Sequence, residues 1–151
     1  MKNVVILGST GSIGKSTIEV IEANKDDFFI AGLVAKSNEK LLTEQAEKFN
    51  VKNVCLTDQT SKNEKFISES KMEDLIVGDQ VDIVVAAISG VVGLKTILKA
   101  VKAGKRVLIA NKEPLVAAGE ILMREAEKYN SEIIPIDSEH CAIHQCLQNI
   151  D

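Results

Sequence analysis

Six short runs of branched apolar residues alternate with stretches of helical periodicity, and this alternation restricts the possible folds more than any other feature of the chain. The runs are Val4–Leu7, Ile30–Val34, Val54–Leu56, Ile83–Ala86, Val107–Ile109 and Ile133–Ile136. Between them lie amphipathic segments at Ile13–Ala23, Glu39–Phe49, Leu94–Ala103 and Leu115–Tyr129. In the second segment Leu41, Leu42, Gln45, Ala46 and Phe49 return at three- and four-residue spacings, which places them on one helix face. The strand candidates are Val- and Ile-rich and nearly continuous in hydrophobicity, as strands of a parallel sheet covered on both faces must be. The pattern predicts an α/β domain: Rossmann-like and doubly wound, with a mostly parallel sheet and helices on both faces.

No repeat, low-complexity tract or Pro/Gly/Ser linker divides the 151 residues, so a single domain over residues 1–151 is expected. Gly32 sits inside the second strand, and Gly104 closes a helix where a left-handed cap is wanted. The stretch Thr57–Val81 is polar and rich in Lys and Glu, with helical fragments around Phe66–Ile67 and Leu75–Val77. It reads as a loosely packed crossover on the surface.

Composition excludes several function classes. The net charge of −4 is the wrong sign for a nucleic-acid binder, and an aromatic content of 3% with no Trp argues against base-stacking surfaces. No apolar run reaches the length of a membrane span or a signal-peptide core, so no membrane partner is expected. Cys55, Cys141 and Cys146 are odd in number and lack a scaffold spacing, which suits a reducing compartment and a cytoplasmic location.

The strongest local signal is Leu7-Gly8-Ser9-Thr10-Gly11-Ser12-Ile13-Gly14-Lys15, placed after a strand and opening a helix. Glycines at 8, 11 and 14 permit a tight turn, close approach of the backbone to a pyrophosphate, and close helix–strand packing. Free N–H groups and the helix dipole then face the phosphates. The G-x-x-G-x-x-G spacing does not by itself name a cofactor, and a purely structural strand–helix turn is the competing explanation. A P-loop is excluded, because Ser9 stands where its first glycine would be. An NAD site usually carries Asp or Glu at the end of the second strand. Here that place holds Val34-Ala35-Lys36-Ser37-Asn38, with no acid until Glu39. A cation with two neutral hydrogen-bonding side chains suits a 2′-phosphate, so NADP is favoured over NAD. Ser37 and Asn38 are also placed to cap the following helix.

Two later strand ends carry further candidates, since ligands of a doubly wound sheet gather at the carboxyl ends of its strands. After Ala110 comes Asn111-Lys112-Glu113-Pro114. Pro114 and Glu113 suit a helix's first turn, but a Lys at a helix N-terminus is unfavourable, which makes Lys112 either a binder of an anionic substrate or a solvated lysine. After Ile136 comes Asp137-Ser138-Glu139-His140. In extended chain Asp137 and Glu139 point to the same side and can converge on a hard divalent cation, Mg²⁺ or Mn²⁺. The alternative is that Asp137 or Ser138 caps the helix of residues 140–149, with Glu139 a first-turn acid. His140, His144 and Cys141 lack the context of a zinc site, and His144 reads as a packed helical histidine.

The segments LGSTGSIG (residues 7–14), AAISGVVGL (86–94), ANKEPLV (110–116) and PIDSEHCAIHQCL (135–147), in this order and spacing, make the chain resemble the N-terminal part of the 1-deoxy-D-xylulose 5-phosphate reductoisomerase family. The resemblance implies that Thr10, Gly11, Ser12 and Ile13 contact the phosphates of NADPH. It puts Lys36, Ser37 and Asn38 at the 2′-phosphate, and Asn111 and Glu113 nearer the ribose and nicotinamide. It further implies that Lys112, Ser138 and Glu139 meet a sugar-phosphate substrate, with Lys112 and Glu139 as catalytic residues, and that Asp137 and Glu139 ligate Mg²⁺ or Mn²⁺. Lys36-Ser37-Asn38 departs from the family's usual Gly-(Lys/Arg)-Asn, Pro114 replaces a common Ser and Cys141 a common Asn. The implied reaction isomerises 1-deoxy-D-xylulose 5-phosphate and reduces it to 2-C-methyl-D-erythritol 4-phosphate in non-mevalonate isoprenoid biosynthesis.

Family members are homodimers that run on for well over a hundred further residues, which carry a third metal carboxylate. The 151 residues are therefore expected to bind NADPH, to hold metal weakly and to be inactive alone. Two other readings stay open. One is a different two-domain NADP-dependent dehydrogenase, such as a semialdehyde dehydrogenase, for which Cys141 is the candidate nucleophile. The other is a free-standing NADP-sensing or partner-binding domain.

Overall fold

A computed structural model describes residues 1–58, 63–90 and 93–147. Val91 and Val92 of the second motif segment, residues 59–62 of the expected crossover, residues 148–149 of the expected last helix and residues 150–151 lie outside the described residues. The elements follow the expected alternation: β1 (Lys2–Leu7), α1 (Ser12–Ala23), β2 (Phe28–Ala35), α2 (Glu39–Phe49), β3 (Asn53–Leu56), α3 (Glu69–Val77), β4 (Ile83–Ala86), α4 (Leu94–Lys102), β5 (Arg106–Ile109), α5 (Glu113–Tyr129), β6 (Ile133–Pro135) and α6 (Ser138–Leu147). The strands form one six-stranded sheet in the order β3-β2-β1-β4-β5-β6, and every pairing is parallel. The chain thus winds outward from β1 in one direction and then from β4 in the other. The crevice between these two halves, at the carboxyl ends of β1 and β4, is where such a sheet binds ligands.

Both faces of the sheet are covered, as the continuous apolar runs require. Val4 and Ile6 enter one core with Ile18 and Ile21 of α1 and Leu42 of α2. Val5 and Leu7 enter the other with Met72 and Ile76 of α3, Ile97, Ala100 and Val101 of α4, and Leu122 and Ala126 of α5. This is the two-residue alternation of a strand, read out as two separate cores.

In β2 the alternation slips. Ile30 shares its core with Leu33 and Ala35, while Ala31 and Val34 face the other side. The extra residue coincides with an irregularity in the β1–β2 register, where Val4 pairs with Ile30 but Val5 with Gly32. A Cβ on Gly32 would stand 3.1 Å from Leu75 Cδ2 and 3.2 Å from Met72 Sδ, so the missing side chain makes room for α3.

That contact corrects one expectation. Residues 69–77 are not a loose surface crossover but a helix, with Met72 and Ile76 buried and Val81 buried just beyond it. Ser68 caps it by accepting from the Lys71 N–H. Phe66 and Ile67 are not helical, and the Ile67 N–H donates to the Val54 carbonyl at 2.8 Å. The apolar signal was weak because only Met72, Leu75 and Ile76 face inward along nine residues otherwise dominated by charge.

Elsewhere the expected boundaries hold within a residue or two. Pro114 lies in the first turn of α5 and Gly104 follows α4 with φ +69°. The last helix differs in character from the others: α6 has no buried residue, and Ile143 and Leu147 are exposed.

Candidate functional site

The turn between β1 and α1 is held from three sides. The N–H groups of Gly8 and Ser9 both donate to the Val34 carbonyl at the end of β2, at 2.8 and 2.9 Å, and the Gly11 N–H returns to the Gly8 carbonyl at 3.1 Å. Gly8 has φ +86°, and a Cβ there would meet the Ala87 carbonyl oxygen at 2.4 Å. A Cβ on Gly14 would meet the Gly8 carbonyl oxygen at 2.3 Å. The first and third glycines therefore serve the packing of β1 against β4 and of α1 against the turn. Gly11 is the exposed N-cap of α1, with no side chain capping it and no acid in the first turn. The positive end of α1 and the N–H groups of its first turn are consequently open to an anion.

Beside this turn is a cleft of about 410 Å³ between the carboxyl ends of β1 to β4. Thr10 and Gly11 line it on one side, Lys36 on another, and Ala87, Ile88 and Ser89 after β4 on a third. Apolar residues predominate and one cation stands at the end of β2, the makings of a site for an adenosine with an added phosphate. Ser12 and Ile13 continue from the turn into α1. Ser37 and Asn38 follow Lys36 on the exposed edge, and Asn38 caps α2 by accepting from the Leu41 N–H at 3.1 Å. The capping role considered for Asn38 is therefore real and leaves its other polar atoms available.

Ala87, Ile88 and Ser89 had no role assigned from sequence, although they belong to the second quoted segment. Their signal was the position itself, directly after β4, whose placement beside β1 only the strand order reveals. The Asn111 side chain donates to the Ile88 carbonyl and so ties the end of β5 to this wall of the cleft. Cys55 also lines the cleft, but burial, with Glu69 adding to it, pushes its thiol up to about 11. It is a buried apolar group, not a nucleophile.

The second group of candidates gathers at the ends of β5 and β6. Lys112 is the N-cap position of α5, is exposed and makes no capping bond; Glu113 lies in the first turn. Asp137 and Glu139 are not in extended chain, which corrects the argument from two-residue spacing, because α6 begins already at Ser138. Asp137 Oδ1 accepts the His140 N–H at 2.9 Å and lies 2.7 Å from His140 Nδ1, an N-cap arrangement. That N–H, with the His140 ring as a further contribution, holds the Asp137 carboxyl below the usual range against the opposing effect of burial.

The capping explanation accounts for only half of this carboxylate. Asp137 Oδ2 is buried and has no hydrogen-bond partner among the described residues. Glu139 accepts from the Ser138 hydroxyl at 2.7 Å, which lowers its carboxyl; the neighbouring Asp137 charge raises it and Lys112 lowers it. Lys112, Asp137, Ser138 and Glu139 thus share one neighbourhood. A buried, unpartnered carboxylate oxygen beside a second carboxylate fits a hard divalent cation. Among the described residues no group of three or more His, Cys, Asp or Glu could hold a metal ion. Cys141 does not line the cleft, and the Gln145 amide donates to its sulfur at 3.1 Å.

No helix among the described residues is long and apolar enough to cross a membrane.

The sequence profile of the 1-deoxy-D-xylulose 5-phosphate reductoisomerase family matches residues 4–119. A 1-deoxy-D-xylulose 5-phosphate reductoisomerase of Ruthia magnifica subsp. Calyptogena magnifica is 43% identical over an alignment covering 99% of this chain and 42% of the relative. One of Thermoanaerobacter sp. (strain X514) is 42% identical, covering 100% and 42%. Among solved structures, the reductoisomerase from Zymomonas mobilis in complex with NADPH superimposes with a TM-score of 0.87 at 35% identity, covering 96% of this chain and 41% of that one. A DOX-P reductoisomerase in complex with NADPH, fosmidomycin and magnesium gives 0.85 at 38% identity, covering 97% and 39%. A biliverdin reductase from Synechocystis shares only the fold, with a TM-score of 0.66 at 20% identity. The chain spans about two fifths of the length of the relatives it matches.

Proposed function

The chain belongs to the 1-deoxy-D-xylulose 5-phosphate reductoisomerase family, and on that premise we propose that its 151 residues form the NADPH-binding portion of such an enzyme. The observation that carries this reading is the convergence, on one cleft, of the uncapped N-terminus of α1, the Thr10–Gly11 turn and Lys36. Thr10, Gly11, Ser12 and Ile13 offer backbone and hydroxyl donors to the pyrophosphate. Lys36, with Ser37 and Asn38, takes the 2′-phosphate, and no acid follows β2 before Glu39. Ala87, Ile88 and Ser89 wall the adenosine, and Asn111 and Glu113 stand toward the ribose and nicotinamide.

Asp137 and Glu139 hold Mg²⁺ or Mn²⁺ in this reading, the unpartnered Asp137 Oδ2 being the oxygen that supports it. Lys112, Ser138 and Glu139 bind the sugar phosphate, Lys112 matching its anionic charge. Bound NADPH supplies hydride and the cation supplies Lewis acidity to the family's reaction, the isomerisation and reduction of 1-deoxy-D-xylulose 5-phosphate to 2-C-methyl-D-erythritol 4-phosphate. That full reaction, the homodimer and the cytoplasmic location belong to the reading of the longer enzyme. For these 151 residues the reading is cofactor binding without turnover, since two carboxylates alone make a weak metal site.

Calorimetric titration with NADPH and NADH tests the cofactor assignment. NADPH is expected to bind about tenfold more tightly or better, from charge-assisted bonds to the 2′-phosphate. Equal affinities would overturn it. Oxidation of NADPH by the 151-residue chain with substrate and Mg²⁺ would overturn the claim that it does not turn over.

A further inference from the structure

Gln45 is a polar residue in the apolar face of α2, on the side that packs toward the sheet. It is buried, with 7% of its surface exposed, between Leu42 and Ala46 on that face. A Met or Leu would fill this place without stranding a polar atom. Instead Gln45 Nε2 reaches across 36 residues of sequence to donate to the Ser9 carbonyl at 2.9 Å. Its own Oε1 and the Ser9 hydroxyl oxygen are both buried and without a partner among the described residues. Unpaired buried polar atoms are unfavourable, so packing alone does not explain the residue.

What the bond supplies is the orientation of one peptide group in the phosphate-binding turn. The Ser9 N–H is already fixed by the Val34 carbonyl, and Gln45 fixes the Ser9 carbonyl from the opposite element. In a planar trans peptide the C=O and the following N–H point in opposite directions. With the Ser9 oxygen drawn toward α2, the Thr10 N–H is directed away from α2. That N–H donates to no group of the protein among the described residues, while Thr10 itself lines the cleft. The same helix begins immediately after Lys36, Ser37 and Asn38, so Gln45 also couples the turn to the element that presents those residues.

We propose that Gln45 is a positioning residue of the cofactor site: it holds the Ser9–Thr10 peptide so that the Thr10 N–H is presented to a cofactor phosphate, and it locks the turn to α2. The inference rests on the NADP reading above.

The test is Gln45→Met in the 151-residue chain, titrated with NADP⁺ by calorimetry and with adenosine 2′-monophosphate by NMR, alongside thermal melting. Adenosine 2′-monophosphate keeps the phosphate assigned to Lys36 but lacks the pyrophosphate. The expected result is about a tenfold loss for NADP⁺, an unchanged dissociation constant for adenosine 2′-monophosphate, and a melting midpoint that is unchanged or raised. Unchanged NADP⁺ affinity overturns the inference, and so does a parallel loss for both ligands with a lowered midpoint, which would mark Gln45 as mere support for α2. If Gln45→Met does not fold, Gln45→Glu serves, because its carboxyl donates to the Ser9 oxygen only while protonated. Its NADP⁺ affinity relative to the unsubstituted chain should then decline with rising pH, and a flat ratio overturns the inference. Failure of the unsubstituted chain to bind NADP⁺ overturns the cofactor reading together with this one, whereas binding retained in both variants overturns this one alone.

Discussion

Gly14 packs against Gly8 so closely that a Cβ on the helix residue would lie 2.3 Å from the turn residue's carbonyl oxygen, and 2.6 Å from Ser9 Cα. Both contacts are backbone, so neither can yield by a rotamer change. Gly14→Ala must push α1 away from the turn. The expected cost is about 3 kcal/mol, the upper end for overpacking, and a fall in melting midpoint of roughly 6–12 °C. Urea unfolding monitored by circular dichroism checks it, with NADPH affinity falling in the same variant. A variant of unaltered stability would mean that the turn is less rigid than described.

Among the described residues Lys36 is the cation that lines the cleft, and it is exposed, so its contribution to phosphate binding is partly screened. Lys36→Ala should reduce the preference for NADPH over NADH by about tenfold, mostly through weaker NADPH binding. Raising ionic strength should shrink the preference in the unsubstituted chain and have less effect on the variant. Parallel calorimetric titrations at two salt concentrations measure both. A preference that survives the substitution would move the 2′-phosphate to other residues.

In the proposed reading Asp137 has one task for each oxygen, a helix cap and a metal ligand, and two substitutions separate them. Asparagine keeps an acceptor for the His140 N–H, whereas alanine removes it. Asp137→Ala should cost α6 about 1 kcal/mol and abolish Mn²⁺ binding; Asp137→Asn should preserve helicity and lose only the ion. Manganese paramagnetic resonance with circular dichroism distinguishes the outcomes. Full Mn²⁺ binding by the Asn variant would contradict the metal reading.

Asp82 joins the amino ends of β1 and β4, accepting from the Asn3 N–H at 2.8 Å and from Lys2 Nζ at 2.9 Å. The Asn3 N–H and then Lys2 hold its carboxyl below the usual range. A lowered native pKa stabilises the fold fully above the unfolded value and loses that contribution as pH falls through the native one. Asp82→Asn should therefore cost about 1 kcal/mol near neutrality, with the gap to the unsubstituted chain closing between about pH 5 and about pH 2. Urea midpoints across that range test it, and a gap independent of pH would refute it.

Cys55 and Cys146 should differ sharply toward iodoacetamide. Cys146 is exposed, whereas the Cys55 thiol is buried and raised to about 11. At pH 8 the mass-mapped label should appear first on Cys146, and Cys55 should react only at the rate of unfolding or opening. Rapid labelling of Cys55 in the folded chain would show that the cleft opens to its floor.

Legibility in the sequence tracked the range of the interactions concerned. The six strands were readable as short continuous runs of branched apolar residues, and the helices at residues 12–23, 39–49, 94–102 and 113–129 by their helical period. Lys36 and the glycine turn were readable because the chemistry they suit depends on their places at strand ends. α3 was not, since three inward residues among nine make a weak period and its burial depends on the absence of a side chain at Gly32. Asp137 and Glu139 lie at a helix start rather than in extended chain, the capping geometry that the sequence also allowed.

By itself the sequence determined the alternation of elements, the glycine-rich turn and the lack of an acid at the end of β2, all of them local patterns. Only the tertiary structure decided which distant segments meet there. The order β3-β2-β1-β4-β5-β6 sets β4 against β1, so that Ala87, Ile88 and Ser89 face Thr10 and Gly11 across the cleft. It also lays α2 behind the turn, so that a glutamine in an apolar stripe reaches the carbonyl of Ser9. Strand order is settled by burial summed over both faces of the sheet, and no window of residues carries that sum.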